Sequence, residues 1–380
     1  MGAVASGRQI GADGRSINVV RSCLRSCAVL FALLFSAGAG VSQPTPLEPE
    51  QVKARVTASG EFQARIAEVA RNLKDHPQLK KLTPEERENA VQFVVGNMLF
   101  VFLHELAHAA IADLGLPVLG REEDAADEFA ILRMLWVGTS LTHRVLTDAT
   151  KGWFFSARRD RKEGEPLAFY DEHSLDQQRA YHIVCLTVGN DPNAMVDLAN
   201  DMKLPDDRRE SCKRDFERAS SSWHKVLQPH RRQPDESIVE IETIYGEGKG
   251  DLASYAQSFR TMRLLETVAG FTAEELAWPV PFTLEMQSCG FINARWNDET
   301  RKLTLCYELA ADFAELGRDF GKIFAAKLGS KEAGRSLKRS TRSSFRGTRT
   351  SNGTHSRRSV AGTTGHNSGA APGKAFKRPP

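Results

Sequence analysis

The stretch His104-Glu105-Leu106-Ala107-His108 puts two imidazoles and a carboxylate inside an apolar run from Phe100 to Ala110. On a helix, residues four apart lie one turn from each other on the same face, so His104 and His108 can aim both rings at one point. Glu105 is turned about 100° from His104, where it can reach a water at that point without binding a metal itself. Two imidazole ligands and an adjacent carboxylate suit metal-assisted hydrolysis, with Glu105 as general base. The five-residue pattern arises by chance in roughly 2% of chains this long, so its surroundings must carry the reading.

A catalytic zinc takes three protein ligands and keeps a fourth position open. Gly115, Pro117 and Gly120 mark a chain reversal, after which comes Glu122-Glu123-Asp124-Ala125-Ala126-Asp127. Glu123 and Asp127 are again four apart and can both face the histidines. Glu123 is expected to be the third ligand, and Asp127 to accept the outer N–H of a ligating histidine and fix its ring. Glu122 and Asp124 then point elsewhere. Ala125 and Ala126, opposite Ala107, Ala109 and Ala110, let two helices approach closely. The competing reading makes the acids a dipole-complementing first turn and the histidines satisfied core groups. Hydrolysis of a peptide also needs a donor for the developing oxyanion. His173 in Asp171-Glu172-His173-Ser174 is the first candidate and Arg179 the second, with Tyr170, Tyr181 and Tyr307 left open.

The elements that must position these residues are mostly helical. Thr83-Pro84-Glu85-Glu86 offers an N-cap, a proline at the first helical position and a capping-box glutamate. It opens a helix running to about Leu114, interrupted only by Gly96 and ended by Gly115 and Pro117. A second helix should run from after Gly120 to about Trp136. Others are expected over 51–73, 140–157, 174–188, 192–202, 206–227, 251–277 and 308–328. Strand signals come late, near 238–243, 282–286, 290–294 and 302–307, and the last two read as a hairpin through Trp296-Asn297-Asp298. The fold class is therefore α+β, mostly helical, with a small late sheet or hairpin. An edge strand there could pair with an extended peptide.

HELAH followed by EDAAD resembles the zincin metallopeptidases whose third ligand is Glu. More narrowly, FVFLHELAHA, LPVLGREEDAADEFA, DEHSLDQQRAYHIVCLTVGNDP and CGFINARWNDETRKLTLCYEL resemble a bacterial metallopeptidase domain family of unknown function, over about residues 90–310. The resemblance implies a zincin-like, secreted, zinc-dependent hydrolase acting on peptides. Common zincins place their sheet before the HExxH helix, so these late strands would be a rearrangement.

Composition bounds the rest. Residues 331–380 carry twelve Lys and Arg against one acid, and the chain as a whole is only +3, so the middle is acidic. That argues against a folded nucleic-acid-binding domain. The Ser/Gly/Arg-rich tail could instead hold an anionic cell-envelope polymer. Arg21 and Arg25, the apolar run Ala28 to Phe35 and the small residues after it follow signal-peptide order, with an uncleaved anchor as the alternative. The expected organisation is a signal peptide over 1–42, a linker over 43–50, a metallopeptidase domain over 51–328 and a basic tail over 329–380. Export leaves Cys185, Cys212, Cys289 and Cys306, an even number in an oxidising setting. Of three connectivities the local one is favoured, Cys185–Cys212 and Cys289–Cys306, with buried free thiols as the alternative.

The functional expectation is an exported, periplasmic or extracellular peptidase holding one Zn²⁺ per chain and taking a peptide or protein substrate. A zinc amidase acting on cell-wall peptides, or a non-catalytic envelope module with a structural metal, are the alternatives. Oligomeric state is left open.

Overall fold

Helices fill the first part of the described chain, and the strands come late, interleaved with two helices and followed by another. The computed structural model describes residues 49–77 and 79–319, so the expected signal segment and basic tail lie outside the described residues. The helices are α1 (Pro49–Asn72), α2 (Pro84–Leu114), α3 (Glu122–Val137), α4 (Ser140–Glu163), α5 (Asp176–Asn190), α6 (Val196–Asp201) and α7 (Asp206–Leu227). Then come β1 (Ile241–Tyr245), α8 (Ala253–Met262), α9 (Leu264–Glu275), β2 (Phe282–Gln287), β3 (Ala294–Asn297) and β4 (Lys302–Cys306). A last helix, α10, covers residues 307–319. The mostly helical α+β expectation holds. Helix α1 starts inside the expected 43–50 linker.

α2 is the central element. Its start is the expected capping box: Glu86 N–H donates to Thr83 Oγ1 at 3.2 Å, and Thr83 N–H donates to Glu86 Oε2 at 2.9 Å. Its end is Gly115, with φ 61° in the left-handed region that glycine adopts without a steric cost. The helix is long and apolar enough to cross a bilayer by length and composition, but 78% of its most apolar window is buried inside the protein. It is a core helix, packed against α1, α3, α4 and strands β3 and β4. Gly96, in its middle, has a packing reason. A Cβ there would lie 2.9 Å from Asp148 Cβ on α4. The matching glycine on α4 is Gly152, which leaves room for the Asn97 amide. Asn97 Nδ2 then donates to Phe93 O at 2.8 Å and to Asp148 O at 3.1 Å. Two glycines thus let α2 and α4 approach closely.

The sheet has order β1-β2-β4-β3. β1 and β4 are each parallel to β2, and β3 is antiparallel to β4. Leu284, Met286, Leu303 and Leu305 are buried beneath it. The expected hairpin is present with its first arm shifted: β3 is Ala294–Asn297, and residues 290–293 are loop. All four described strands follow α2 in sequence, and edge strand β3 packs against it. Arg301, in the turn before β4, holds the α2 end by a two-pronged pair to Asp113 at 2.6 and 2.7 Å. The single helix expected over 251–277 is two, because Arg263 adopts the left-handed conformation with φ 54° between α8 and α9. No glycine or proline in the sequence marks that break.

Both cysteine pairs are the local ones. Cys185–Cys212 joins α5 to α7, and Cys289–Cys306 ties the loop before β3 to the end of β4. Such bonds persist in oxidising compartments.

Gly96→Ala tests the helix contact through its sign. At an exposed helical site the change would stabilise by about 1 kcal/mol. Here it should lower the unfolding free energy by about 1–3 kcal/mol through overpacking, read from urea denaturation of the two proteins.

Candidate metal centre

α2 and α3 meet through small residues. Ala107, Ala109, Ala110 and Ala126 are all fully buried, so the side chains between them are held at short distance. His104 Nε2 lies 3.0 Å from Glu123 Oε2, the two Nε2 atoms of His104 and His108 are 3.3 Å apart, and His108 Nε2 is 3.4 Å from Glu123 Oε2. These three residues could hold a metal ion. The triangle passes a simple test of fit. Zinc bonds of about 2.0–2.1 Å in a tetrahedron leave ligand atoms roughly 3.3–3.4 Å apart. The donor set, two imidazoles and a carboxylate, is also one that such a metal takes.

Each imidazole is oriented from behind. His104 Nδ1 donates to Asp127 Oδ1 at 2.9 Å, and His108 Nδ1 donates to Glu122 Oε1 at 2.8 Å. A carboxylate on Nδ1 fixes the tautomer and directs Nε2 at the shared point. Glu122 was expected to point elsewhere, and the structure corrects this. It is the first residue of α3, where the side chain can lean back past the helix end toward His108. Burial disfavours the charged form of His104, yet the bonds to Asp127 and Glu123 outweigh it and hold its pKa above the usual imidazole range. Against the same burial effect, Glu123 and Glu122 push His108 up to about 9. Burial would raise the Glu123 carboxyl, but hydrogen bonds from His104, His108 and His173 hold it well below the carboxylate range.

Asp127 sits at the centre of a buried charge network. Arg179 on α5 clamps it with Nε to Oδ2 at 2.7 Å and Nη2 to Oδ1 at 2.6 Å. Trp153 on α4 lies under that guanidinium, 3.6 Å from ring centroid to Cζ. Burial opposes ionisation of Asp127, and the charge of Arg179 with the hydrogen bonds of His104 and Arg179 overcomes it, so its carboxyl is held low. Arg179 was a candidate oxyanion donor. It is buried beneath the cluster and committed to Asp127, which gives it a different place from the one expected.

Glu105 and His173 join the cluster from different elements. Glu105 is buried, and burial raises its pKa against the nearby charges of His104 and His108. Its Oε2 accepts the Trp296 backbone N–H at 3.0 Å from edge strand β3. His173, in the loop between α4 and α5, has Nε2 2.8 Å from Glu123 Oε2, and its ring stacks on His104 at 5.9 Å between centroids. Asp171 holds the His173 backbone N–H at 2.9 Å. Arg121 reaches Ser174 Oγ at 2.9 Å, and Ser174 donates to Asp124 at 2.6 Å, fastening the loop to the start of α3. Of the remaining tyrosine candidates, Tyr307 is buried with its hydroxyl on Gly246 O, Tyr181 bonds Met202 O, and Tyr170 is exposed in the loop that carries His173.

Sequence reasoning missed Trp296, Trp153, Glu122 and the Arg121–Ser174–Asp124 latch. Trp296 acts through its backbone, which carries no residue-type signal. The others act across gaps of 14 to 53 residues with no fixed spacing. A second group, Cys289, Cys306 and Glu308, also has metal-compatible proximity. Its sulfurs are spent in a disulfide, and Glu308 accepts the N–H groups of Cys289 and Gly290 at 3.0 and 2.7 Å.

The cluster and its helices thus have the make-up of a site that could hold a metal ion beside a buried carboxylate. Comparison agrees at that level: residues 63–227 match the model of DUF4344, a family described as "Putative metallopeptidase". The matched span holds every side chain of the cluster and ends before the sheet. No curated protein and no solved structure matches the chain.

Arg179→Ala leaves Asp127 buried without its cationic partner. It should lower unfolding free energy by about 3–5 kcal/mol, measured by urea denaturation. Arg179→Lys, which cannot make the fork, should recover only part of it.

Proposed function

We propose that the chain is an exported zinc-dependent metallopeptidase of zincin type, with His104, His108 and Glu123 as metal ligands. The observation that carries this is the triangle of three ligand atoms at tetrahedral spacing with Glu105 beside it. Bound there, a divalent metal supplies Lewis acidity that polarises a carbonyl and acidifies water. Glu105 takes the proton from the attacking water and delivers it to the leaving amine. Its raised pKa and its anchor on Trp296 N–H suit a group that gains and loses a proton in one place. Asp127 holds the His104 ring, and Arg179 holds Asp127. His173, about a third exposed and next to Glu123, is the donor for the oxyanion. Edge strand β3 lies alongside, so an extended peptide can pair with those outward main-chain groups that Glu105 does not hold. The two disulfides support an oxidising, exported location. A cell-wall amidase would use the same residues, with the basic tail as its attachment to anionic polymer.

Metal analysis and peptide cleavage of purified protein test the reading together. Wild type should carry stoichiometric zinc, lost in His104→Ala. Glu105→Gln should keep the zinc and lose about 10²–10⁴ in rate. Absence of metal from wild type overturns the proposal.

The raised histidines give a second check. In the metal-free chain both histidines are held above their usual pKa, His108 at about 9, so at pH 7 His108 carries a proton that a metal must displace. Zinc uptake should therefore release protons and weaken as pH falls, seen as a buffer-dependent heat in titration calorimetry.

A further inference from the structure

Among the described residues, ten large apolar side chains are exposed, and six of them fall in three short segments around the cluster. Leu119 lies in the reversal between α2 and α3, and Leu167, Phe169 and Tyr170 in the loop that carries His173. Phe291 and Ile292 lie in the loop that leads into β3. Leu119 is fully exposed, and Phe169 and Tyr170 are 78% and 79% exposed. Solitary exposed apolar residues are ordinary, but a concentration at one place marks a surface that something covers.

Each segment is fastened to the site. Arg121 joins the first to the second through Ser174 Oγ and the His173 carbonyl. The third is held by the Cys289–Cys306 disulfide and by Glu308 on two successive N–H groups. The apolar groups are therefore presented from pinned loops: two adjoin Glu123 and His173, and the third leads into β3, whose Trp296 N–H holds Glu105. Strand β3 follows the third segment directly. Cys306 N–H donates to Asn293 O, and Trp296 N–H points the other way, onto Glu105. By strand alternation the main-chain groups of Ala294 and Trp296 face away from β4.

We propose that these three segments select polypeptide stretches bearing bulky apolar side chains on both sides of the scissile bond. The proposal rests on the metallopeptidase reading above and names its substrate class. Charge favours a polypeptide over a lipid surface as the occupant. Glu122, Asp171 and Glu172 are exposed among the apolar groups, while the exposed Arg121 beside them is paired with Asp124, and the net negative charge repels anionic headgroups. It leaves neutral or basic peptide flanks unopposed.

The test uses the full chain with Glu105→Gln, loaded with zinc, so that binding is read without turnover. The probes are a labelled decapeptide with a central Phe-Leu pair, its Gly-Ser counterpart, and phosphatidylglycerol vesicles. The apolar peptide should bind at least about tenfold tighter than the Gly-Ser one. Phe169→Ser with Tyr170→Ser, and separately Phe291→Ser with Ile292→Ser, should each weaken it by about tenfold or more. All four positions are exposed, and retained helical circular dichroism confirms folding. Phe271→Ser, exposed on α9 and outside the three segments, should change nothing. Equal affinity for both peptides, or unchanged binding in both double variants, overturns the proposal. So does uptake by vesicles that the double variants abolish. Apolar binding that depends on these loops, without chelator-sensitive cleavage in wild type, supports the apolar selection and overturns only the peptidase reading.

Discussion

Asp127 is a carboxylate almost out of reach of water, between a guanidinium on one side and an imidazole on the other. An ion in that position is tolerable only when its partners are near and well aligned, because desolvation costs several kcal/mol per charge. The partners come from different helices: His104 from α2, Arg179 from α5, with Trp153 of α4 covering the guanidinium. The demand of one buried charge therefore sets the relative placement of four helices. It also sets the His104 ring, whose Nδ1 is bound to Asp127 and whose Nε2 is left to face Glu123 and His108.

Close approach is what makes the network reachable. Alanines between α2 and α3, and Gly96 and Gly152 between α2 and α4, remove the bulk that would hold the backbones apart. Larger residues would fill the core equally well and carry the charges out of register. Small residues in the middle of long helices lower helix propensity or packing area locally, and here that loss is offset by hydrogen bonds and charge pairs that need short distances. The long apolar helix and the polar cluster it carries are thus two parts of one arrangement.

The sheet enters the site at a single point. β3 is an edge strand, and one of its outward N–H groups is satisfied by Glu105 rather than by another strand. Asp113 with Arg301 at the α2 end, and the Cys289–Cys306 link, keep that edge where it is. The acid that would move protons is therefore anchored by a domain half that follows it by nearly two hundred residues, outside the span that matches the metallopeptidase family.

Local spacing in the sequence determined the elements and the short-range part of the cluster. The capping box at Thr83, the stop at Gly115, the i, i+4 pairs His104/His108 and Glu123/Asp127, and the two nearby cysteine pairs are legible because helix geometry and short loops allow few arrangements. His173 was legible as a candidate by residue type and loop position alone. Tertiary structure decided the rest. It turned Arg179 inward onto Asp127, leaned Glu122 back to His108, brought the Trp296 N–H to Glu105 and split one expected helix at Arg263. Each of these depends on which groups meet across the folded chain, where no fixed spacing exists and where burial and charge pairing, rather than local backbone preference, select the partner.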